Sequence, residues 1–390
     1  MTIWLLAGLV MFALVGLTIL MRRMNGHTIT ISVRPQELPE GDSVYITGNH
    51  PALGNWHPDA VPLQLQADGS WRRQFFIKRN TQLEYKFTRG SWDSEAANEH
   101  GGVLPNFRLR VNQNHQQHLE IPHWRDISQL ENDFKIETTP EERIKGTIRF
   151  HHFPGMNGLK PRDIIVWLPP SYDSALKQKY PVVYMHDGQN LFDPYTSYTG
   201  IDWEADETAT RLIEEERIRE IIIVGIYNTH DRLEEYSAAP LGKRYREFIV
   251  QELKPYIDRN YRTRPEREHT ATIGSSMGGL VSFLLVWLHS EVFSMAGCFS
   301  PSFIYQKNQA IKLIKQSDPP GLPLKIMMDC GGIGGEKLLL RGCKRVLRLL
   351  RRKGLSDADL EFHHYPEARH SERDWAERLE KHLIFLYSKV

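Results

Sequence analysis

The spacing of apolar residues changes near Gly146, and this change constrains the fold more than any other feature of the sequence. Before it, short runs alternate apolar and polar residues; after it, continuous apolar runs alternate with longer amphipathic stretches. The first pattern indicates half-buried strands, and the second indicates a mostly parallel sheet covered by helices on both faces. A chain of 390 residues also exceeds what one hydrophobic core organises. We therefore predict two or three domains, with an α/β domain following an all-β domain.

The all-β pattern covers residues 28–121 and predicts an antiparallel β-sandwich. Its short apolar runs, separated by Gly, Pro, Asn and Asp, are 28–33, 43–46, 73–77 and 83–87. No stretch of helical length interrupts them, as expected for a sandwich. Residues 122–145 are polar and charged, which predicts a linker to the next domain.

The α/β pattern covers residues 146–390. Central strands are predicted at 164–168, 182–185, 221–226 and 324–328, and intervening helices at 203–219, 245–258, 278–289 and 337–352. Strands and helices that alternate in this way predict a doubly covered, mostly parallel sheet. We expect the α/β-hydrolase arrangement because of the turn at Ser276 described below.

The amino-terminal segment is a long uncharged stretch of apolar residues. Residues 2–21 carry no charge, and a helix of about 20 such residues matches a bilayer core. Residues 1–24 are therefore predicted to be a transmembrane anchor or an uncleaved signal segment. A membrane-anchored protein with periplasmic or extracellular domains is expected, although Arg22 and Arg23 leave a cytoplasmic orientation open.

A candidate nucleophile lies at Ser276. It occupies the centre of Gly274-Ser275-Ser276-Met277-Gly278, which follows a β-branched run and precedes a helical pattern. A Gly-x-Ser-x-Gly string between a strand and a helix is typical of a nucleophile elbow, where the glycines let the two backbones approach closely. The alternative is an ordinary turn whose serine caps the helix.

A serine nucleophile needs a histidine base, which in this fold follows it in the chain. The candidates after Ser276 are His289, His363, His364 and His370. His289 is expected at the far end of the helix after the elbow, and His363 and His364 lie inside a strand-like run. His370 follows that run in a loop, so we predict that it is the base.

The acid of the triad is expected on the loop after the strand that ends near residue 328. Glu336 lies in the glycine-rich segment that follows, and Asp329 closes the strand itself. A loop position can reach along the edge of the sheet, so Glu336 is preferred and Asp329 remains the alternative.

The oxyanion hole is predicted to combine two backbone amides. One belongs to Met277, directly after the nucleophile, and the other to the loop after the third strand of the domain. In that loop the Asp187-Gly188 pair predicts a tight turn that can direct the next N–H group inward. Gln189 is therefore the second candidate donor.

Four segments of the α/β domain resemble a known family. These are Tyr184 to Asp193 (YMHDGQNLFD), Arg232 to Tyr236 (RLEEY), Gly274 to Leu280 (GSSMGGL) and Ser300-Pro301-Ser302. Together they resemble the esterase family related to esterase D, feruloyl esterases, enterobactin esterases and the mycolyltransferase antigen. The resemblance covers about 146–387 and implies a serine esterase whose oxyanion donor is the amide of Gln189. The lengthened glycine-rich loop leaves the acid open between Glu336 and Asp329.

The all-β domain also resembles a known module. The stretch Tyr45 to Trp56 (YITGNHPALGNW), followed by Trp71, the Tyr85-Lys86-Phe87 run and Trp92, is similar to a starch-binding module of the family-20 type. The resemblance implies a glucan site at Trp56, Lys86 and Trp92, where indole rings stack on sugar faces. Asn98 and Asn106 are both open as its asparagine, whereas Trp71 and Phe87 are expected in the core.

Composition and motifs narrow the function classes further. The 49 basic and 48 acidic residues nearly cancel, so nucleic acid is not an expected partner. The chain lacks a His-Glu-x-x-His string, and its glycine-rich segment lacks a phosphate-loop ending, so no metal or cofactor is predicted for catalysis. We expect a serine carboxylic-ester hydrolase that acts on an ester of a carbohydrate or other small alcohol. An acyltransferase of the same fold and a catalytically silent glucan-binding protein are the alternatives.

Overall fold

The structure is a computed structural model that describes residues 26–92, 94–98, 104, 106–127 and 143–389. The chain divides into two compact units, Met1–Ile136 and Glu137–Val390.

The predicted membrane anchor requires a correction. Within the described ranges, the structure contains no helix that is both long enough and apolar enough to cross a bilayer. The segment 2–21 lies outside those ranges. The prediction rested on hydropathy alone, and an apolar run of spanning length does not by itself establish a spanning helix. We therefore withdraw the transmembrane helix, the membrane as a partner and the membrane-anchored location.

In its described residues, the first unit contains nine short strands. They are β1 Gly26–Pro35, β2 Tyr45–Gly48, β3 Gln64–Leu65, β4 Trp71–Lys78, β5 Gln82–Thr88, β6 Ala96–Ala97, β7 Phe107–Arg110, β8 His115–Ile121 and β9 His123–Trp124. A four-stranded sheet (β3-β4-β1-β8) and a three-stranded sheet (β2-β5-β7) share one core, and β6 pairs with β9. All the pairings are antiparallel except β1 with β8, which corrects the purely antiparallel sandwich that was predicted.

Alternation along the strands explains this core. In β1 the side chains of Ile29, Ile31 and Val33 are buried, as the period of two predicts. Trp71 and Phe87 are also buried, which confirms that these two aromatic residues belong to the core.

The second unit contains a single eight-stranded sheet. Its strands are β10 Thr147–Phe153, β11 Arg162–Leu168, β12 Val182–His186, β13 Ile222–Ile226, β14 Thr270–Ser275, β15 Met295–Phe299, β16 Lys325–Gly331 and β17 Leu360–Tyr365. Their order is β10-β11-β13-β12-β14-β15-β16-β17. The pairs β10–β11 and β11–β13 are antiparallel, and the other pairs are parallel. The carboxyl ends of β12 to β17 therefore meet at one edge.

Between residues 143 and 389, eight α-helices accompany this sheet. They are α1 Ala205–Glu214, α2 Arg232–Glu235, α3 Pro240–Phe248, α4 Lys254–Asn260, α5 Met277–Leu288, α6 Tyr305–Gln316, α7 Glu336–Arg352 and α8 Glu372–Tyr387. Two separate apolar clusters, one on each face, bury the predicted central strands between helices. A π-helical turn, Ile249–Leu253, joins α3 to α4 where Pro255 lacks the N–H that an α-helix would use.

Candidate active site

Ser276 occupies a strained turn between β14 and α5. Its backbone lies at φ 56° and ψ −114°, a conformation that costs a non-glycine residue about 1–3 kcal/mol. A Cβ at Gly274 would lie 2.6 Å from the carbonyl carbon of Gly278, so only glycine permits this crossing of strand and helix. The turn is held from both sides, because Ser276 N–H donates to Phe299 O (2.8 Å) and Ser302 N–H donates to Ser276 O (2.9 Å).

The hydroxyl of Ser276 has a second serine beside it. Ser302 Oγ lies 3.2 Å from Ser276 Oγ, within hydrogen-bond distance. The recorded hydrogen bond of the Ser276 side chain is thus to Ser302 and not to His370; serine–histidine contacts often tighten only when substrate binds. The sequence analysis assigned no role to Ser302, although it lies in a segment that carries the family resemblance.

Glu336 and His370 are brought together at the carboxyl edge of the sheet. His370 Nδ1 lies 2.8 Å from Glu336 Oε1, although the two residues are 34 positions apart. The other carboxylate oxygen accepts Gly331 N–H at 2.9 Å and faces the Cys330 thiol at 3.0 Å. The Glu336 side chain is fully buried, whereas the His370 side chain retains 33% of its accessible surface. The Glu336 carboxylate is therefore held in the interior, and the His370 imidazole is accessible to solvent.

The surroundings of Glu336 favour its ionised form. Burial alone would raise the pKa of this carboxyl group, but the hydrogen bond and charge of His370, followed by Cys330 and Ser300, lower the pKa to about 2. A carboxylate that stays ionised can hold the imidazole and stabilise its protonated form.

Asp329, the alternative acid, is engaged elsewhere. Its carboxylate accepts hydrogen bonds from Arg378 Nε (3.0 Å) and Nη2 (3.2 Å) and from His382 Nε2 (3.0 Å). All three side chains are buried. Asp329 therefore belongs to an internal ion-pair network that ties β16 to α8.

The other three candidate histidines lie outside this arrangement. His289 caps the end of α5 and pairs with Glu291. His363, on β17, contacts Glu361 and Lys381, and His364 is exposed on the same strand. Trp375 packs edge-on against the His370 ring, with 4.8 Å between the ring centroids. This contact restricts the orientation of the His370 imidazole.

The loop after β12 carries Gln189 in a short 3₁₀ turn, Gly188–Asn190. Asp187 precedes this turn in the left-handed region at φ 60°. A Cβ on Gly188 would lie 2.5 Å from the Gly225 carbonyl carbon, so the loop packs directly on β13. The side chain of Gln189 accepts Asn228 N–H at 3.2 Å, which ties this loop to the segment after β13.

Asp187 is held by three partners that the sequence analysis did not use. Arg232 donates two hydrogen bonds to its carboxylate, from Nε (2.6 Å) and Nη2 (2.7 Å), and Asn228 Nδ2 donates a third at 2.6 Å. The Asp187 N–H donates to Tyr236 Oη at 3.2 Å. Burial opposes ionisation, yet Arg232 and Asn228 keep the pKa of Asp187 below its ordinary value. The RLEEY segment that carries the family resemblance thus braces the Gln189 loop.

In the first unit, Trp56 and Trp92 lie side by side. Their ring centroids are 6.5 Å apart, with an interplanar angle of 36°. Both rings are partly exposed. Lys86 is buried, and its Nζ donates to Glu95 Oε2 at 2.9 Å. Asn98 and Asn106 are both half-buried, so burial does not choose between them.

The sheet order, the strained serine turn at the carboxyl edge and the buried carboxylate behind an accessible histidine define the second unit as an α/β hydrolase. The chain belongs to the family described as "Putative esterase", whose model matches residues 159–386. Residues 27–121 match the family model described as "Starch binding domain".

Two relatives illustrate the range of this family. "Uncharacterized protein YbbA" of Bacillus subtilis (strain 168) is 27% identical over 247 residues, which cover 58% of this chain and 93% of the relative. The "Endo-1,4-beta-xylanase/feruloyl esterase" of Xylanibacter ruminicola is 29% identical over 143 residues. That match covers 35% of this chain but only 19% of the relative.

Solved structures agree at the level of the fold. A ferulic acid esterase has a TM-score of 0.51 at 22% identity and covers 62% of this chain and 98% of its own. An enterobactin esterase from Shigella flexneri, solved in the presence of enterobactin, has a TM-score of 0.53 at 14% identity and covers 92% of each chain.

Proposed function

We propose that this esterase-family protein is a serine carboxylic-ester hydrolase that acts through an acyl-serine intermediate. The observation that carries the proposal is the 2.8 Å contact of His370 Nδ1 with the buried Glu336 carboxylate, at the same sheet edge as the strained Ser276 turn. A carboxylate on Nδ1 leaves Nε2 of His370 to accept a proton from the serine hydroxyl.

In this mechanism Ser276 Oγ attacks the carbonyl carbon of the ester while His370 takes up its proton. The tetrahedral oxyanion is stabilised by the backbone amides of Met277 and Gln189. Met277 is the first residue of α5, so its N–H has no intrahelical acceptor and lies at the positive end of the helix dipole. His370 then protonates the departing alcohol, and a water molecule, activated by the same imidazole, releases the acid from Ser276.

The substrate class that we propose is an ester attached to a carbohydrate, delivered by glucan binding at Trp56, Lys86 and Trp92. The starch-binding family of residues 27–121 and the adjacent Trp56 and Trp92 rings support this assignment. A relative whose name combines xylanase and feruloyl esterase joins polysaccharide and ester chemistry in one protein.

The Ser276→Ala variant tests the nucleophile. Because the attacking oxygen is removed, we expect kcat for a short p-nitrophenyl ester to fall by about 10⁴-fold or more, and labelling by a fluorophosphonate to disappear. Ser174→Ala, at an exposed loop position, is the matched control and is expected to retain both signals. Labelling of Ser276→Ala at the wild-type rate would contradict the proposal.

Hydrolysis and acyl transfer share the acyl-enzyme, so product analysis must separate them. With a p-nitrophenyl ester and added maltooligosaccharide, we expect free carboxylic acid as the main product. An acylated sugar as the main product would instead identify a transferase. The absence of both products across acetyl and feruloyl esters, with amylose binding intact, would favour a catalytically silent binding protein.

A further inference from the structure

Three carboxylates converge at the start of α1, outside the catalytic arrangement. One ligand oxygen from each of Asp202, Asp206 and Glu207 lies within 4.8 Å of the others. Oxygens bound to a common Ca²⁺ at about 2.4 Å can be no more than about 4.8 Å apart, so the three oxygens are close enough to share one such ion.

Acidic residues in the first turn of a helix are common without a metal, so the hydrogen bonds of this cluster matter. Asp202 Oδ2 accepts Glu204 N–H at 3.2 Å, and Asp206 Oδ2 accepts Lys145 N–H at 2.6 Å. Each aspartate thus uses one oxygen for a backbone amide. Asp206 Oδ1 is buried and has no hydrogen-bond partner within the part of the chain that the structure describes. Asp206 as a whole is fully buried.

A buried carboxylate oxygen without a partner is costly, and a cation supplies the missing interaction. Glu207 adds a further acceptor oxygen to the cluster, which the same cation can bind. Since Glu207 is exposed, an ion can reach the cluster from solvent.

We propose that Asp202, Asp206 and Glu207 form a calcium site that braces the segment leading from the Gln189 loop into α1. The ligands are all oxygens and include no nitrogen or sulfur, the set that hard cations prefer. Water molecules complete the coordination, because three protein oxygens fall short of the six to eight that Ca²⁺ takes. The proposal stands independently of the ester chemistry.

The position of the site gives it a structural consequence. Trp203 lies between the first two ligands in the sequence. Its backbone N–H donates to Asn190 O at 2.9 Å, and its ring packs on Trp375 with 6.0 Å between the ring centroids. Trp375 in turn contacts the ring of His370. An ion at the cluster therefore stabilises one side of the catalytic edge through a single layer of tryptophans.

Calcium titration of the full-length, chelator-stripped protein tests the site. We expect CaCl₂ to raise Tm by a few degrees, with half the effect between about 10 µM and 1 mM, beyond NaCl of equal ionic strength. Tb³⁺, a calcium analogue, should show emission sensitised by Trp203 that Ca²⁺ displaces. Both readouts are independent of esterase activity, so an inactive enzyme would leave the test intact.

Asp206→Asn and Glu207→Gln locate the effect. Asparagine can still accept Lys145 N–H, so Asp206→Asn should fold and yet lose the calcium-dependent rise in Tm. Glu207→Gln changes an exposed side chain and should weaken the calcium response at least tenfold. Glu214→Gln, exposed at the other end of α1, is the control that keeps it. A wild-type Tm that does not respond to Ca²⁺, an equal response to Mg²⁺, or an unchanged response in both ligand variants would overturn the proposal.

Discussion

At the scale of single residues, the site depends on two conformations that are unfavourable outside this fold. Ser276 is held at φ 56° and Asp187 at φ 60°, both in the region that favours glycine. Each backbone is held by a hydrogen bond with a distant residue: Ser302 N–H donates to Ser276 O, and Asp187 N–H donates to Tyr236 Oη. The backbone strain thus positions the proposed nucleophile and the proposed oxyanion loop.

The choice of acid gives a residue-scale prediction. Glu336→Gln removes the charge that stabilises the protonated His370, so kcat should fall by about 10³–10⁴-fold with little change in KM. Asp329→Asn instead breaks a buried ion pair with Arg378 and should lower the free energy of unfolding by about 3–5 kcal/mol.

The two variants are compared by kcat per active site, titrated with a fluorophosphonate, and by urea unfolding. If Asp329→Asn loses the rate while Glu336→Gln keeps it, Asp329 is the acid.

At the scale of elements, α2 acts as a brace for the loop after β12. Arg232 is the first residue of this four-residue helix, and its guanidinium forms a two-pronged ion pair with Asp187. The loop therefore keeps its shape through a contact 45 positions along the chain. We therefore expect this contact to help fix the orientation of the Gln189 amide.

Arg232→Lys tests that brace. A lysine cannot make both hydrogen bonds to the Asp187 carboxylate, so the Gln189 loop should be held less firmly. We expect kcat to fall by about 10–100-fold, which is less than the loss caused by removing an oxyanion donor outright. A boronate that mimics the tetrahedral intermediate should bind correspondingly more weakly, while KM changes little. Arg244→Lys, at an exposed arginine, is the control. Full boronate affinity in Arg232→Lys would show that Arg232 does not position the oxyanion hole.

The turn before Trp56 is the corresponding element of the first unit. Gly54, Asn55 and Trp56 all have positive φ values, and this turn carries the Trp56 ring towards Trp92. We expect Trp56→Ala and Trp92→Ala each to weaken amylose binding about tenfold, since each removes a stacking surface.

The control for these tryptophans is Phe76→Ala. Phe76 is an exposed aromatic residue of the same unit, 51% accessible, and it lies on β4 of the four-stranded sheet. Affinity gel electrophoresis in amylose measures the effect. If both tryptophan variants migrate like the wild type, the glucan site lies elsewhere.

At the scale of the whole esterase unit, a buried histidine links the sheet to its helices. His186, at the end of β12, bonds with Tyr245 Oη (2.9 Å) and Thr272 Oγ1 (3.1 Å). Burial lowers its pKa from 6.5 to about 3. The folded unit therefore keeps His186 neutral, whereas the unfolded chain takes up a proton below pH 6.5.

The stability of this unit should consequently depend on pH. Above about pH 6.5, His186 is neutral in both the folded and the unfolded chain. As pH falls from 6.5 towards 3, only the unfolded chain takes up this proton, so the free energy of unfolding decreases by up to about 1.4 kcal/mol per pH unit. Between pH 6.5 and 5 the wild type should lose about 2 kcal/mol more than His186→Gln, measured by urea unfolding at each pH. Other titrating groups are common to both proteins and cancel in the difference. Equal pH slopes would exclude His186 as the source.

Much of this protein was predictable because the relevant signals are local. Apolar periodicity identified the β-sandwich unit and the α/β unit, and the glycines around Ser276 identified the strand-to-helix turn. The starch-binding and esterase resemblances, both confirmed by the family matches, also rest on short continuous segments. Hydropathy over 2–21 was equally local, and the membrane helix that it suggested was not supported.

The remaining features depend on residues far apart in the sequence. Asp329 and Glu336 are seven positions apart near the end of the same strand, and the sequence favoured Glu336 only through its position in the loop. Arg378 and His382, 49 and 53 positions beyond Asp329, occupy its carboxylate, whereas Glu336 meets His370. A carboxylate pairs with whatever cation or donor the fold brings near it. The sequence alone determined which segments carry the chemistry, and only the tertiary structure decided which side chains meet.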